Sequence, residues 1–275
     1  MIPLRDSQNS KSYPFVNITL IILNVLFYFG QPTQGEALVG FLSKYGIVPA
    51  HYFINVISHQ LNIIEQVVPF FSFMFLHGGI LHLIGNMWSL YIFGDNVEDT
   101  LGSMRYLAFY IACGIASGLA HIVSDPTSQI PTIGASGAIS GVMGAYMLLF
   151  PKARILTIFF YIFLEVPAIV FLGFWFLFQF LSAAASQGQS GGIAWWAHIG
   201  GFISGIILLK LFTLLPEFKI SGIPRLKIQK RSTSAIEVIR PIALDNDLHL
   251  YGNLVISERE AEMGSRKLIA LEFRG

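Results

Sequence analysis

Four polar side chains stand inside otherwise apolar stretches of the chain and could together carry out acyl transfer. They are His82, Asn86, Ser136 and His198. A serine hydroxyl is a poor nucleophile until a base removes its proton, and His198 is the base that the last apolar stretch offers to Ser136. No Asp or Glu accompanies these residues within their own stretches. The sequence therefore predicts a Ser-His dyad rather than a triad that includes a carboxylate.

Acyl transfer also needs hydrogen-bond donors near the carbonyl oxygen on which negative charge develops. His82 and Asn86 are four residues apart, so a helix would place them on one face. The Asn86 amide, the His82 imidazole N–H and the backbone N–H of Ser136 are the candidate donors of an oxyanion hole.

Each of these residues also has a purely structural explanation. The small residues around Ser136, with Gly137 and Gly141 four apart, are typical of close packing between membrane helices. His198 could bond a neighbouring helix, and Asn86 could join two helices. Taken singly, each residue favours the structural explanation.

The composition indicates that membrane helices must position these side chains. Of the 275 residues, 54% are hydrophobic and 12% are charged, whereas soluble proteins carry about 25% charged residues. This largely excludes a soluble globular domain. The net charge of +1 argues against a nucleic-acid binder, and the single Cys113 excludes an intrachain disulfide framework.

The charges are concentrated at the C-terminus. The last 60 residues hold 18 of the 33 charged side chains, which leaves 15 for residues 1–215. We therefore expect a membrane domain over residues 1–215 and a cytoplasmic charged tail or small domain over residues 216–275.

Six apolar stretches are long enough, or nearly so, to cross a bilayer that requires about 20 residues per helix. The second begins near Ile80, because Gly78-Gly79 interrupts a longer apolar run whose earlier part, Val67 to Leu76, is predicted to be interfacial or re-entrant. Pro167 is expected to kink the fifth. The stretches are Phe15–Phe29, Ile80–Phe93, Tyr106–Val123, Ile133–Phe150, Ile155–Leu181 and Ile193–Leu215.

Lys and Arg are enriched at the amino terminus, in the second and fourth loops and in the tail. By the positive-inside rule both termini are then cytoplasmic. No Ala-x-Ala cleavage site follows the first apolar stretch, so we expect it to be retained as a helix. This topology places all four polar side chains in the outer part of the membrane, and their convergence at one depth favours an enzyme.

The motifs around these residues resemble those of the rhomboid family of intramembrane serine proteases. His82-Leu-Ile-Gly-Asn86 is similar to the family's His-x-x-x-Asn, and Gly134-Ala-Ser136-Gly137 to its Gly-x-Ser-Gly. Ala197-His198-Ile-Gly-Gly201-Phe-Ile-Ser-Gly205 is similar to Ala-His-x-x-Gly-x-x-x-Gly. His77 matches a further histidine that is often present. The likeness covers roughly residues 14–215.

The resemblance implies an all-α membrane fold, a six-transmembrane-helix rhomboid-like bundle with a short central fourth helix. It implies that Ser136 is the nucleophile, that His198 is the general base and then the acid, and that Asn86, His82 and the Ser136 N–H form the oxyanion hole. Gly134 would allow close backbone approach, with Gly137 and His77 as supporting residues.

The family resemblance further implies substrates that are transmembrane proteins, cut in or near a membrane helix. No metal or organic cofactor and no nucleic acid is implied. Resemblance to bacterial members suggests an inner or plasma membrane location, with the active site opening to the outside.

Two features depart from the family pattern. Members often carry Tyr or Phe four residues after the serine, stacked on the catalytic histidine, whereas this chain has Ser140, and Tyr146 or Trp195 are the candidate substitutes. The first loop, residues 30–68, lacks a Trp-Arg pair that many members carry.

Two other functions stay open at this point, a non-catalytic rhomboid-like protein that binds membrane clients and, less favoured, a small transporter. In the tail, alternation around His249–Ile256 suggests a strand or hairpin, and residues Ser257–Lys267 suggest a short helix. Disorder and a small regulatory cap are comparable alternatives for the whole tail.

Overall fold

The computed structural model of the protein describes residues 2–52, 63–160, 162–185 and 194–214, together with four two-residue strands nearer the C-terminus. The chain divides into two compact units, Met1–Leu226 and Lys227–Gly275. Helices dominate the first unit, as the composition predicts, and a small sheet accompanies them.

The described residues of the first unit form three strands, nine helices with the bounds given below, and a further helical segment at residues 49–52. The helices are α1 (Phe15–Gly30), α2 (Gly35–Tyr45), α3 (Ile63–Val67), α4 (Pro69–Ser72), α5 (Ile80–Leu101), α6 (Ser103–Ser124), α7 (Ser136–Leu149), α8 (Ala168–Ala185) and α9 (Trp195–Leu214). A 3₁₀ turn, Phe73–Phe75, follows α4. The strands β1 (Ile2–Asp6), β2 (Arg154–Phe159) and β3 (Ile162–Pro167) form one antiparallel sheet in the order β1-β2-β3.

Three helices, α6, α8 and α9, are long and apolar enough to cross a membrane. The segment Ile63–Phe75 and α5 together pass the same test as a pair bent by 81°, so the described residues contain three or four candidate spans. The helices α1 and α7 are apolar but shorter, with 16 and 14 residues. The chain is therefore a multi-span membrane protein, and the count of six spans stays a prediction.

The predicted break before the second long helix is confirmed. The chain turns sharply after the 3₁₀ segment, and α5 begins at Ile80, directly after Gly79. The helix continues to Leu101, eight residues beyond the predicted end at Phe93. The break brings the His77 ring beside His82 in the first turn of α5.

The prediction of one kinked helix from Ile155 to Leu181 is wrong. Arg154–Phe159 and Ile162–Pro167 form the antiparallel strands β2 and β3, and the helix α8 begins only at Ala168, after Pro167 has ended the strand. A continuous apolar run does not distinguish a buried strand from a helix. The deciding partner is β1, which pairs Ile2 with Ile158 from more than 150 positions away along the chain.

The short helix α7 is enclosed by its neighbours, because ten of its 14 residues are buried. A Cβ added to Gly201 would lie 2.0 Å from the carbonyl oxygen of Gly137, and one added to Gly205 would lie 2.0 Å from that of Gly141. Helices α7 and α9 are thus in backbone contact. The small-residue packing face predicted from Gly137 and Gly141 is confirmed.

At the opposite end of the bundle a buried carboxylate joins three helices. Glu98 of α5 accepts hydrogen bonds from the backbone N–H groups of Val16 and Asn17, at 3.0 and 2.8 Å, and from the Ser103 hydroxyl at 2.6 Å. The first two donors belong to the opening turn of α1, where a negative charge is favourable. Glu98 therefore fixes α1 and the start of α6 against α5.

The second unit shows strands β4 (Glu237–Val238) and β7 (Ile269–Ala270), which pair in parallel, and β5 (Ala243–Leu244) and β6 (Leu250–Tyr251), which pair antiparallel. The strand predicted around His249–Ile256 is confirmed at Leu250–Tyr251. The helix predicted for Ser257–Lys267 lies outside the described residues.

Candidate active site

Ser136 and His198 are brought into direct contact. The Ser136 hydroxyl oxygen lies 2.8 Å from Nε2 of His198. Ser136 is the first residue of α7 and His198 lies in the first turn of α9. Because the glycine contacts hold these two helices together, the spacing of the pair follows from backbone packing.

The turn that precedes Ser136 requires a glycine at position 134. Gly134 has φ of +119°, a conformation that side chains other than glycine rarely adopt. Its backbone N–H donates to the carbonyl of Phe73 at 2.8 Å, which anchors the start of α7 to the 3₁₀ segment. A Cβ at Gly134 would lie 2.9 Å from the His82 ring. Gly134 therefore lies close to the His82 ring, and its role in close backbone approach stays a prediction.

The two predicted side-chain donors of the oxyanion hole lie beside this turn. The Asn86 side chain is 7% exposed, and its amide nitrogen has no hydrogen-bond partner among the described residues. It would lie 3.5 Å from a Cβ on Gly134. A buried amide donor without a partner is costly unless a substrate or water completes it.

His77 packs against His82. Its side chain is fully buried, and its ring packs edge-on against the His82 ring with the centroids 5.1 Å apart. The backbone carbonyl of His77 accepts a hydrogen bond of 2.6 Å from the Gln31 amide, which ties this turn to the end of α1. We regard His77 as a packing residue that keeps His82 in place.

A cavity of about 1440 Å³ opens above these groups. Its volume is large enough for an extended peptide segment as well as water. The predicted dyad and both predicted donors face it, together with polar groups of α6. Its lining includes His82, Asn86, Ser117, His121, Ser136 and His198.

Two residues in contact with His198 were not predicted to act in the site. Oε1 of Gln179 lies 2.8 Å from Nδ1 of the imidazole. The Trp175 ring lies beside the imidazole at 6.1 Å between centroids, tilted by 34°. Both residues belong to α8, one turn apart, and a lone glutamine in an apolar helix is the sequence signal that could have revealed the first.

Of the two aromatic residues that could replace the missing Tyr or Phe, one contacts His198 and the other does not. Trp195 packs edge-on against His198 at 6.3 Å, as the sequence suggested. Tyr146 does not, because it packs on Phe93 and donates its hydroxyl proton to the Asp6 carboxylate. Ser140 turns its hydroxyl back to the carbonyl of Ser136 at 2.6 Å.

Comparisons with known proteins identify the family of the chain. A family model described as the rhomboid domain matches residues 64–214, more than half of the chain. This chain belongs to the rhomboid family. The matched region of this rhomboid protein runs from α3 to α9 and includes every residue of the site described above, so the family resemblance inferred from the motifs is confirmed.

Relatives of this rhomboid protein occur in bacteria and eukaryotes. The rhomboid protease GluP of Bacillus subtilis is 32% identical over 206 residues, which cover 73% of this chain and 36% of GluP. The mitochondrial rhomboid protein 1 of Saccharomyces cerevisiae is 29% identical over 176 residues, 61% of this chain and 45% of its own. This rhomboid protein therefore spans less than half the length of these relatives.

Proposed function

We propose that this rhomboid protein is an intramembrane serine endopeptidase that cleaves transmembrane segments of other membrane proteins. The observation that carries the proposal is the 2.8 Å contact between the Ser136 hydroxyl and Nε2 of His198, beside the unpartnered Asn86 amide. Nucleophile, base and oxyanion donor then face one cavity.

The reaction follows from this geometry. His198 accepts the hydroxyl proton while the Ser136 oxygen attacks the substrate carbonyl carbon. The Asn86 amide, the His82 ring and the Ser136 N–H stabilise the negative oxygen of the tetrahedral intermediate. The imidazolium then gives its proton to the leaving amine, and the C–N bond breaks. A water molecule, deprotonated by His198, hydrolyses the acyl-enzyme in the same way.

The substrate class is limited by the backbone chemistry of a helix. Peptide bonds inside a helix are hydrogen-bonded and shielded, so the segment must unwind before Ser136 can reach a carbonyl. We expect preferred substrates to carry Gly or other weak helix formers at the cut, because a glycine costs about 1 kcal/mol in a helix relative to alanine.

The cellular arrangement is part of the proposal. Residues 1–215 form the membrane domain with six spans, and residues 216–275 form a separate cytoplasmic part. The positive-inside distribution of Lys and Arg favours cytoplasmic termini in an inner or plasma membrane. The cavity would then open to the outside.

Cleavage of a reporter in liposomes tests the proposal. The wild-type protein is expected to cut a reporter whose transmembrane segment contains glycine, and Ser136→Ala and His198→Ala are expected to abolish the cut. Ser204→Ala is the matched serine control, since this hydroxyl donates to the carbonyl of Gly201 on the same helix and does not line the cavity. Cleavage by Ser136→Ala at the wild-type rate would contradict the assignment.

Non-catalytic client binding is the alternative. It predicts that the wild-type protein captures membrane proteins without cutting them, and that Ser136 does not react with a fluorophosphonate. The short hydroxyl–imidazole distance favours the protease, because client binding has no need of a serine aligned with a base.

A further inference from the structure

We propose that Gln179 is the positioning residue of the His198 imidazole, so that Ser136, His198 and Gln179 form an uncharged hydrogen-bonded chain. This inference rests on the proposed protease function and deepens it. The carboxylate that holds the histidine in a Ser-His-Asp triad would be replaced by a neutral amide on α8.

Both nitrogens of one ring are engaged in this chain. Nδ1 of His198 is 2.8 Å from Oε1 of Gln179, and Nε2 is 2.8 Å from the Ser136 hydroxyl. The three residues belong to three different helices, α7, α8 and α9. Helix α8 is thereby linked by a hydrogen bond to the base that the reaction requires.

Gln179 is set apart from its neighbours on α8 by burial. Its side chain is 4% exposed, whereas Phe178 and Phe180 on either side are 54% and 48% exposed. The helix thus directs two large apolar side chains outward and its amide inward. Placing a buried amide there carries a desolvation cost, which the bond to His198 offsets.

The amide oxygen determines which tautomer of the ring is present. An acceptor at Nδ1 requires that Nδ1 carry the proton, and a neutral imidazole then leaves Nε2 with its lone pair. Only that tautomer can accept a proton from Ser136. With the opposite tautomer Nε2 would be a donor toward the hydroxyl, and the serine could not be activated.

Two aromatic rings complete the positioning. Trp175 lies one turn before Gln179 on α8, and Trp195 lies three residues before His198 on α9. They restrict the plane of the imidazole, while the amide restricts its rotation within that plane. The His198 imidazole is thus oriented without a charged partner inside the membrane, where burying a carboxylate carries a large free-energy cost.

A neutral amide assists the histidine less than a carboxylate would. It fixes tautomer and orientation, but it contributes no negative charge to stabilise the imidazolium that forms during proton transfer. We therefore expect its removal to cost about tenfold in kcat, the effect of one hydrogen bond, and not the roughly 10⁴-fold loss seen when a triad is left with the wrong tautomer.

Three variants separate positioning from packing. Gln179→Met keeps the length of the side chain and removes the acceptor. Gln179→Glu keeps an acceptor oxygen in either protonation state. Leu172→Met is the matched control, because Leu172 is a fully buried residue of α8 outside the site.

The first readout is kinetic. Gln179→Met is expected to lower kcat and the rate of fluorophosphonate labelling about tenfold with KM unchanged, while Gln179→Glu stays closer to wild type and Leu172→Met matches it. An unchanged kcat in Gln179→Met would overturn the proposal, as would equal losses in Gln179→Met and Leu172→Met.

The second readout needs no cleavage. Nitrogen-15 NMR of histidine-labelled protein in liposomes, with His198→Ala used to assign the signal, should show His198 protonated at Nδ1 in the wild type. Gln179→Met should shift it toward Nε2 protonation. The same tautomer in both proteins would overturn the positioning role, whereas cleavage by Ser136→Ala would defeat the protease proposal and leave the tautomer result standing.

Discussion

The hydroxyl of Ser136 can transfer a proton only to a correctly oriented imidazole, and the orientation of His198 is fixed by contacts from three helices. Ser136 meets one ring nitrogen and Gln179 the other, at 2.8 Å each. Trp175 and Trp195 pack against the ring. Side chains of modest individual reactivity therefore become a candidate nucleophile and base through placement.

The residue types alone revealed part of this site. Ser136, His198, Asn86 and His82 are polar groups in apolar surroundings, and each matches a role in acyl transfer. Gln179 has the same character, but a glutamine is neither nucleophile nor base, and its function depends on a residue 19 positions away on another helix. Sequence spacing does not report such contacts between helices.

At the residue scale, Asn86→Ala should lower kcat by about 10²–10³-fold, the cost of removing one oxyanion donor. KM should change little, because the amide acts most strongly on the oxygen after charge has developed. Initial rates of reporter cleavage at several substrate densities measure both parameters.

Labelling of Ser136 by a fluorophosphonate serves as the control, because it shows whether the Asn86→Ala protein still holds the serine and its base in place. Wild-type kcat in Asn86→Ala would show that its unpartnered amide serves another purpose.

At the element scale, the backbone contact between α7 and α9 holds the two halves of the dyad together. A Cβ at Gly205 would meet the Gly141 carbonyl at 2.0 Å, so the helices must separate to admit it. We expect Gly205→Ala to destabilise the fold by about 1–3 kcal/mol and to reduce cleavage, as measured by thermal unfolding in detergent and by reporter assay.

Gly173→Ala is the control for that substitution. It also changes a glycine within a helix, but nothing lies within 4 Å of the added atom. It should be neutral or stabilising by up to about 1 kcal/mol. A Gly205→Ala protein as stable as Gly173→Ala would argue against tight packing of α7 on α9.

The helices could largely be located from hydropathy, whereas the sheet could not. The break at Gly78-Gly79 and the start of α5 at Ile80 follow from local sequence. The strands β2 and β3 belong to a sheet in which β2 pairs with β1 at the other end of the chain, and an apolar run of this kind is equally compatible with a helix.

Glu98 offers a second test at this scale, because it ties α1 and α6 to α5. Glu98→Gln replaces one accepting oxygen by a donor and should destabilise the protein by about 1.5–3 kcal/mol, the range for hydrogen bonds to charged groups. Glu65→Gln, at an exposed position, should leave the unfolding temperature unchanged. Equal effects of the two variants would contradict the role of Glu98.

At the scale of the whole molecule, all described residues of the site lie in the unit Met1–Leu226. Truncation after Arg231 should therefore retain reporter cleavage at close to the wild-type rate, measured at equal protein density in liposomes. Loss of cleavage by a truncated protein that still unfolds cooperatively would show that residues 232–275 contribute to catalysis.

Charged side chains are few in the whole chain, and the candidate site contains no Asp, Glu, Lys or Arg among its proposed functional groups. The 12% of charged residues permits helices in lipid, and the groups of the candidate site, a serine, three histidines, an asparagine and a glutamine, need no buried carboxylate. In the proposed protease, the Gln179 amide orients the base where a Ser-His-Asp enzyme uses Asp.

The central claim is that His198 activates Ser136 as a nucleophile, and covalent labelling tests it most directly. Mass spectrometry of the protein after reaction with a fluorophosphonate should place the adduct on Ser136. The adduct should be lost in Ser136→Ala and reduced strongly in His198→Ala, while Ser204→Ala labels like wild type. Absence of an adduct in the wild-type protein, or undiminished labelling of Ser136 in His198→Ala, would contradict the account.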